Sequence, residues 1–219
     1  MKNILHIDSS VRSTTNDNPG YNSLSKQLAS HFVQSWLTKT QANITYRDVG
    51  SQPPAFINQD WIGAVFTPEE NRSQAQIQQL ALSDTLIEEV VQADIIVMSS
   101  PMYNYGMPAQ LKAWFDQVIR INKTFSFDLA RGDTPLAPTL SGKTLVLITS
   151  SGEFGFEKGG MREHMNHLGP HVKTLSKYLG VEHFFEVKSE YQEFADDRHK
   201  ASFEAAMARA EHLAHSLAS

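Results

Sequence analysis

The chain has 219 residues, 41% hydrophobic and 20% charged, with a formal net charge of −5 and no cysteine. These proportions exclude a disordered or fibrous chain, and a domain of this length buries about 70% of its unfolded surface unaided. The missing thiol excludes disulfides, thiolate metal sites, iron–sulfur clusters and a cysteine nucleophile, and the acidic balance predicts no nucleic-acid partner.

The first apolar run, Asn3–Asp8, reads as a buried strand. It is too short for a secretory signal, and no stretch approaches the roughly 18 apolar residues of a membrane span. The expectation is a soluble cytoplasmic protein with no membrane partner. Leu24, Leu28, Phe32 and Trp36 then recur every four residues as a helical stripe. Asn43–Val49 alternates and predicts an exposed edge strand. A long connection, Gly50–Arg72, carries Phe56, Trp61 and Phe66. Ile77, Leu80, Ala81, Ile87, Val90 and Val91 mark a second helix, followed by a strand over Asp94–Ser99. Leu111, Trp114, Phe115, Val118 and Ile119 give the cleanest helical spacing, with Pro108 predicted at the first helical position. A second long connection, Asn122–Gly142, carries Phe125 and Phe127. Lys143–Ser150 and Val181–Val187 read as buried strands, and stripes at Leu168–Leu179 and Phe203–Leu217 as the last two helices.

Strand and helix thus alternate five times over residues 1–219, read as a single domain. The pattern predicts an α/β three-layer sandwich: a five-stranded parallel sheet in the flavodoxin-like order 2-1-3-4-5, with helices on both faces. In such a sheet ligands sit beyond the carboxyl ends of the strands. The loop after strand one is rich in hydroxyls (Ser9, Ser10, Ser13, Thr14, Thr15, Ser23, Ser25) and lacks the glycine fingerprints of dinucleotide and nucleoside-triphosphate folds. It reads equally as a cradle for a phosphate monoester and as a helix start capped by Ser23. The loop after strand three, Ser100–Pro108, sets Tyr103, Asn104 and Tyr105 between two prolines and a glycine. A rigid aromatic loop suits a planar heteroaromatic ring. The loop after strand four, Ser150–Phe156, is small enough for close backbone approach.

His164, His167 and His171 are spaced for one helix face, but Gly169-Pro170 interrupts them and no familiar ligand spacing is present, so no metal is expected. No Gly-x-Ser-x-Gly elbow supports a serine hydrolase. Asp196-Asp197 and Glu69-Glu70 read as charges at helix starts.

The segment Pro101-Met102-Tyr103-Asn104-Tyr105, the helix start Pro108-Ala109-Gln110-Leu111-Lys112 and the following Trp114-Phe115-Asp116 resemble the FMN-dependent NADH-azoreductases, dimeric flavodoxin-like enzymes that also reduce quinones. Ser9-Ser10, Ser23-x-Ser25, Ala81-Leu82-Ser83-Asp84, Ile148-Thr149-Ser150 and Pro170–Gly180 extend the resemblance over nearly the whole chain. It implies FMN as cofactor, with Ser10, Ser23, Leu24 and Ser25 at the phosphate. Pro101, Met102, Tyr103, Asn104 and Tyr105 would lie along the ring, and Ser150, Ser151, Gly152 and Glu153 would approach it from the other side. It further implies NADH or NADPH as donor, a quinone or azo compound as acceptor, and a homodimer with the active site at its interface. No catalytic side chain is expected, because flavin N5 carries the hydride in ping-pong turnover and water supplies protons. Phe125 and Phe127 are candidate walls of the acceptor site, and Phe56, Trp61 and Phe66 are candidates for the same role across the dimer interface that the resemblance implies. A non-catalytic electron carrier and a flavin-free binding module are the alternatives.

Two departures stand out. Where the family commonly shows Ser-Arg-Gly-Gly, this chain has Ser150-Ser151-Gly152-Glu153. A Glu153 facing the flavin is expected to lower its potential, and one facing solvent to do nothing. The first loop is also longer, and Arg12 within it is left outside the predicted site.

Overall fold

The computed structural model describes residues 1–219. β1 (Lys2–Asp8) leads through a long loop to α1 (Leu24–Lys39), whose first turn is closed by the Ser23 hydroxyl accepting from the Lys26 N–H. β2 (Ala42–Asp48) follows. The connection predicted as irregular over 50–72 instead holds a helix, α2 (Gln59–Phe66), started by Asn58 accepting from the Trp61 N–H. α3 (Gln74–Gln92) opens with a reciprocal capping box between Ser73 and Gln76. β3 (Ile95–Pro101) runs to α4 (Ala109–Val118). Pro108 stands one residue before the predicted place, as the N-cap with extended backbone (ψ 146°). The second long connection holds a hairpin of β4 (Phe125–Phe127) and β5 (Leu136–Pro138). β6 (Lys143–Ser150), α5 (Gly169–Ser176), β7 (Val181–Ser189) and α6 (Asp197–Ala218) complete the chain. Asp196 caps α6 and Asp197 lies in its first turn, as their charges predict.

The main sheet is parallel throughout, in the order β2-β1-β3-β6-β7. Leaving aside the hairpin, this is the predicted order. β3 and β6 are apolar through Ile95–Met98 and Leu145–Ile148 because both faces of the sheet are covered there. Leu5, Ile7, Leu145 and Leu147 pack on one side against α3, α4 and α5, through Leu86, Val90, Trp114, Phe115 and Val172. Ile4, Val146 and Ile148 pack on the other side against α1 and α6, through Leu28, Phe32, Trp36, Ala210 and Leu213.

Some details differ from the sequence reading. β7 holds the predicted edge position but is not the buried strand expected: only Val187 and Ser189 are buried along it. On α3, Ile77 and Val91 are exposed, and the core stripe runs through Leu80, Ile87 and Val90. Leu24 drops out of the α1 core stripe and lines a cleft at the helix start. The three clustered histidines share no helix: His164 lies in a short 3-10 turn and His171 in α5.

Candidate functional site: a polar cleft at the carboxyl edge of the sheet

Register puts the strand ends side by side. Asp8 pairs with Ser99, and Pro101 with Ser150. Beneath the cleft, Asp8 collects an unusual density of donors. Its carboxylate accepts from Ser99 Oγ at 2.6 Å and Tyr46 Oη at 2.8 Å, and lies 3.1 Å from His6 Nε2. Burial pushes the Asp8 carboxyl up, but the hydrogen bond and charge of His6, together with Ser99 and Tyr46, outweigh it and hold the group below its ordinary value. The same carboxylate and burial raise the Tyr46 hydroxyl, which stays a donor. This network fixes the C-terminal ends of β1 and β3, from which two of the cleft loops spring.

The cleft, about 110 Å³, is lined by Ser10, Arg12, Asn22, Ser23, Leu24, Pro101, Met102, Tyr103, Ser150, Gly152, Gln192 and Glu193. Eight residues singled out from sequence therefore converge: Ser10, Ser23, Leu24, Pro101, Met102, Tyr103, Ser150 and Gly152. At its α1 end the N–H groups of Leu24 and Ser25 make no hydrogen bond within the chain, as the start of a helix requires. The positive end of the α1 dipole and two hydroxyls, Ser10 and Ser23, face the same space. Arg12, left outside the predicted set, adds a cation.

The remaining predicted residues take other positions. Ser25 is fully buried, its hydroxyl 3.4 Å from that of Ser23, so it supports the lining rather than forming it. Ser151 turns away: its hydroxyl donates to the Glu153 carbonyl, and it lines a small separate cavity with Met102, Phe156 and Glu190. Asn104 and Tyr105 form the tip of a tight turn closed by paired Tyr103–Gly106 backbone bonds of 3.0 Å. Both have positive φ, 48° and 66°. This is the mirror-type turn that favours Asn-Gly, and a tyrosine at its second central position costs about 1–2 kcal/mol of backbone strain. Glu153 faces neither the cleft nor open solvent. It accepts from Tyr105 Oη at 3.1 Å and pairs with Arg162 Nε at 3.0 Å. The bond to Glu153 raises the Tyr105 hydroxyl above its ordinary value, so it remains a donor.

Phe125 and Phe127 lie elsewhere. With Ile57, Trp61, Ile62, Val65, Phe66, Phe115, Ile119, Ile121 and Leu175 they line an apolar groove of about 510 Å³ that shares no residue with the cleft. Trp61 is fixed there by its Nε1–H donating to Gln117 Oε1 at 2.9 Å. Sequence reasoning missed Asn22, Gln192 and Glu193. The last two follow the edge strand β7, whose C-terminal loop is not among the three predicted ligand loops, and their residue types alone carry no signal.

The family described as having a flavodoxin-like fold matches residues 2–214. The chain belongs to this flavodoxin-like family. Within it, the chain is 64% identical over 218 residues to the FMN-dependent NADH:quinone oxidoreductase 2 of Idiomarina loihiensis, covering 99% of this chain and 91% of that one. It is 65% identical over 214 residues to the FMN-dependent NADH:quinone oxidoreductase 2 of Colwellia psychrerythraea, covering 97% and 98%. The flavodoxin-like fold superposes on the crystal structure of an FMN-dependent NADH-azoreductase from Bacillus anthracis in complex with FMN. The TM-score is 0.84 with 18% identity, covering both chains in full. At that identity the likeness speaks for the fold alone.

Proposed function

We propose that this chain is an FMN-dependent NADH:quinone oxidoreductase that also accepts azo compounds. One observation carries the reading: hydroxyls and unpartnered amides at a helix start share a single cleft with a rigid aromatic loop. The two halves fit the two ends of FMN. Ser10, Ser23 and the Leu24 and Ser25 amides suit a terminal phosphate, with Arg12 adding charge. Pro101, Met102 and Tyr103 offer an apolar flank to a planar ring, and the Asn104 side chain, which has no partner in the chain, offers a donor and an acceptor to a pyrimidine edge. The 64–65% identity to quinone oxidoreductases supports the same chemistry.

FMN, when bound, supplies a two-electron carrier that takes hydride from NADH and passes it to the acceptor. The chain supplies binding, orientation and exclusion of water. No side chain at the cleft need move a proton. Of the carboxylates around it, Glu153 is engaged by Tyr105 and Arg162, and Asp8 by His6, Ser99 and Tyr46, while Glu193 on the cleft lining is unpaired. Donor and acceptor would use the same open side in turn, which gives ping-pong kinetics. On this reading the enzyme works in the cytoplasm, the compartment that supplies NADH. No helix is long and apolar enough to cross a membrane.

The apolar groove supports the homodimer. Phe66, Phe127, Leu129 and Leu136 are all exposed on or beside it, a concentration that solvent disfavours and a second copy would cover. In that arrangement Phe125 and Phe127 wall the acceptor site of the partner protomer rather than their own.

The reading is tested by adding FMN to purified protein, desalting, and recording the visible spectrum before and after NADH and then menadione. Retained yellow colour, bleaching with NADH and recovery with menadione is the expected sequence. Retained colour without bleaching would indicate an electron carrier, and no retained flavin would overturn the cofactor assignment.

A further inference from the structure

Two loops wall the cleft from opposite sides: Pro101–Tyr103 after β3, and Ser150–Gly152 after β6. At their base they are joined by the Met102 N–H donating to the Ser150 carbonyl at 2.8 Å. At their rim they are joined a second time, by Tyr105 Oη donating to Glu153 Oε2. Glu153 is held in turn by Arg162, which is itself pinned. Its Nη1 donates to the Phe154 carbonyl at 3.1 Å, its backbone N–H to the Gly155 carbonyl at 2.8 Å, and its guanidinium lies 4.8 Å from the Phe154 ring centroid.

Tyr105 pays for its place in the turn with a positive φ that glycine would adopt freely. Such an outlier persists only where the surroundings over-determine it. Here they do so from three directions. The His167 N–H donates to the Tyr105 carbonyl at 2.9 Å, the ring packs against Phe156 at 6.3 Å between centroids, and the hydroxyl reaches Glu153. A turn residue with no further duty would need none of these.

Resting on the FMN reading above, we propose that Tyr105, Glu153 and Arg162 form a clasp that fixes the spacing of the two cleft walls and so governs how long the flavin stays bound. Glu153 is a positioning residue in this arrangement: it acts through Tyr105 and does not touch the cleft. The carboxylate that replaces the usual small residue in this loop is therefore a structural link between loops, with its charge balanced by Arg162.

The test is the rate of FMN release from the reconstituted protein, followed by recovery of free-flavin fluorescence on large dilution into flavin-free buffer. Y105F and E153A are expected to release FMN roughly three- to tenfold faster, the size of one modest hydrogen bond. The double variant should be no faster than either single one, because both remove the same link. E153Q, which keeps an acceptor for the tyrosine, should stay within about twofold of the parent. Y105G separates the clasp from mere folding: relief of backbone strain should leave the apo-protein as stable or more so, while FMN release accelerates. Additive effects of Y105F and E153A, or unchanged release in both with normal FMN uptake, would overturn the clasp. Failure of the parent chain to take up FMN would instead remove the cofactor reading on which it rests.

Discussion

Gly50 offers the sharpest probe of the phosphate end of the cleft. It follows β2, where its N–H and that of Val49 both donate to the Asp8 carbonyl, at 3.3 and 2.8 Å. A Cβ built at Gly50 would lie 1.9 Å from the Ser10 carbonyl oxygen and 2.5 Å from its carbon, where ordinary contact begins at 3.4 Å. The obstacle is backbone, so it cannot rotate away; Ser10 must shift by roughly 1.5 Å, taking its hydroxyl with it. Overpacking of this kind costs about 1–3 kcal/mol, and the reduced freedom of the unfolded chain returns about 0.4–1 kcal/mol. The net expectation for Gly50→Ala is a loss of about 1–2 kcal/mol in stability and, because the shift falls on Ser10, FMN affinity weakened tenfold or more. Gly63 is the internal control. It lies in α2, outside the cleft, and a Cβ built there meets nothing within 4 Å. Gly63→Ala should leave FMN affinity at the parent value and raise stability by about 0.5–1 kcal/mol through helix propensity. Urea unfolding of the apo-protein and quenching of FMN fluorescence on titration measure the two effects. Parent-like affinity in Gly50→Ala, or equal damage in both variants, would refute the reasoning.

Asp8 makes stability pH-dependent. Its folded carboxyl is held below the ordinary 3.8, so its contribution is complete above that value and is lost as pH falls through the lower folded value. Asp8→Asn should lose about 2 kcal/mol at neutral pH and show a flatter acid limb in urea midpoints measured from pH 7 down to 3. Trp61→Phe orphans the buried Gln117 acceptor and should cost about 1–3 kcal/mol. Trp114 has a buried Nε1–H with no partner, so the polar part of the same exchange there should bring a gain that offsets lost packing; calorimetric Tm values compare the two. Arg120 is 2% exposed and held by Asp84 and by Ser83 Oγ at 2.8 Å. Asp84→Ala should cost about 1–3 kcal/mol in urea unfolding, less than for a fully buried pair because Asp84 is half exposed.

The sheet was legible because its central strands are apolar on both faces: consecutive residues such as Leu145 and Val146 serve different layers, so no polar interruption is tolerated. The helix starts were legible from Ser23 and Asp196, whose side chains do what their chemistry suggests. α2 was not. Its eight residues bury only Trp61 and Ala64 and leave Ile62 and Phe66 on the apolar groove, so no core stripe reveals it. The β4–β5 hairpin has three residues in each strand, too few for an alternation to register. β7 misled in the opposite sense: Phe184 and Phe185 make it read as buried although they are only half-buried at the sheet edge. At the site, types and loop positions brought eight residues to one cleft, whereas the turning away of Ser151 and the pairing of Glu153 with Arg162 depend on contacts between loops far apart in sequence.

The strand ends show why hydroxyls dominate this edge of the molecule. Ser9, Ser10, Ser99, Ser100, Ser150 and Ser151 are all buried, and larger polar side chains there would need partners the sheet cannot supply. Four of them donate to acceptors at the strand ends. Ser9 Oγ donates to the Ser99 carbonyl, Ser99 Oγ to Asp8, Ser100 Oγ to the Pro101 carbonyl and Ser151 Oγ to the Glu153 carbonyl. Their donors are spent on the floor and are unavailable to a ligand. Ser10 and Ser23 differ: Ser10 Oγ accepts from the Arg12 N–H and Ser23 Oγ from the Lys26 N–H, so both retain a proton to donate toward the cleft. A floor whose own hydrogen bonds are closed has little to reorganise. On the FMN reading proposed above, binding strength at this edge would come from two hydroxyls, two amides and a helix end held still by the serines around them.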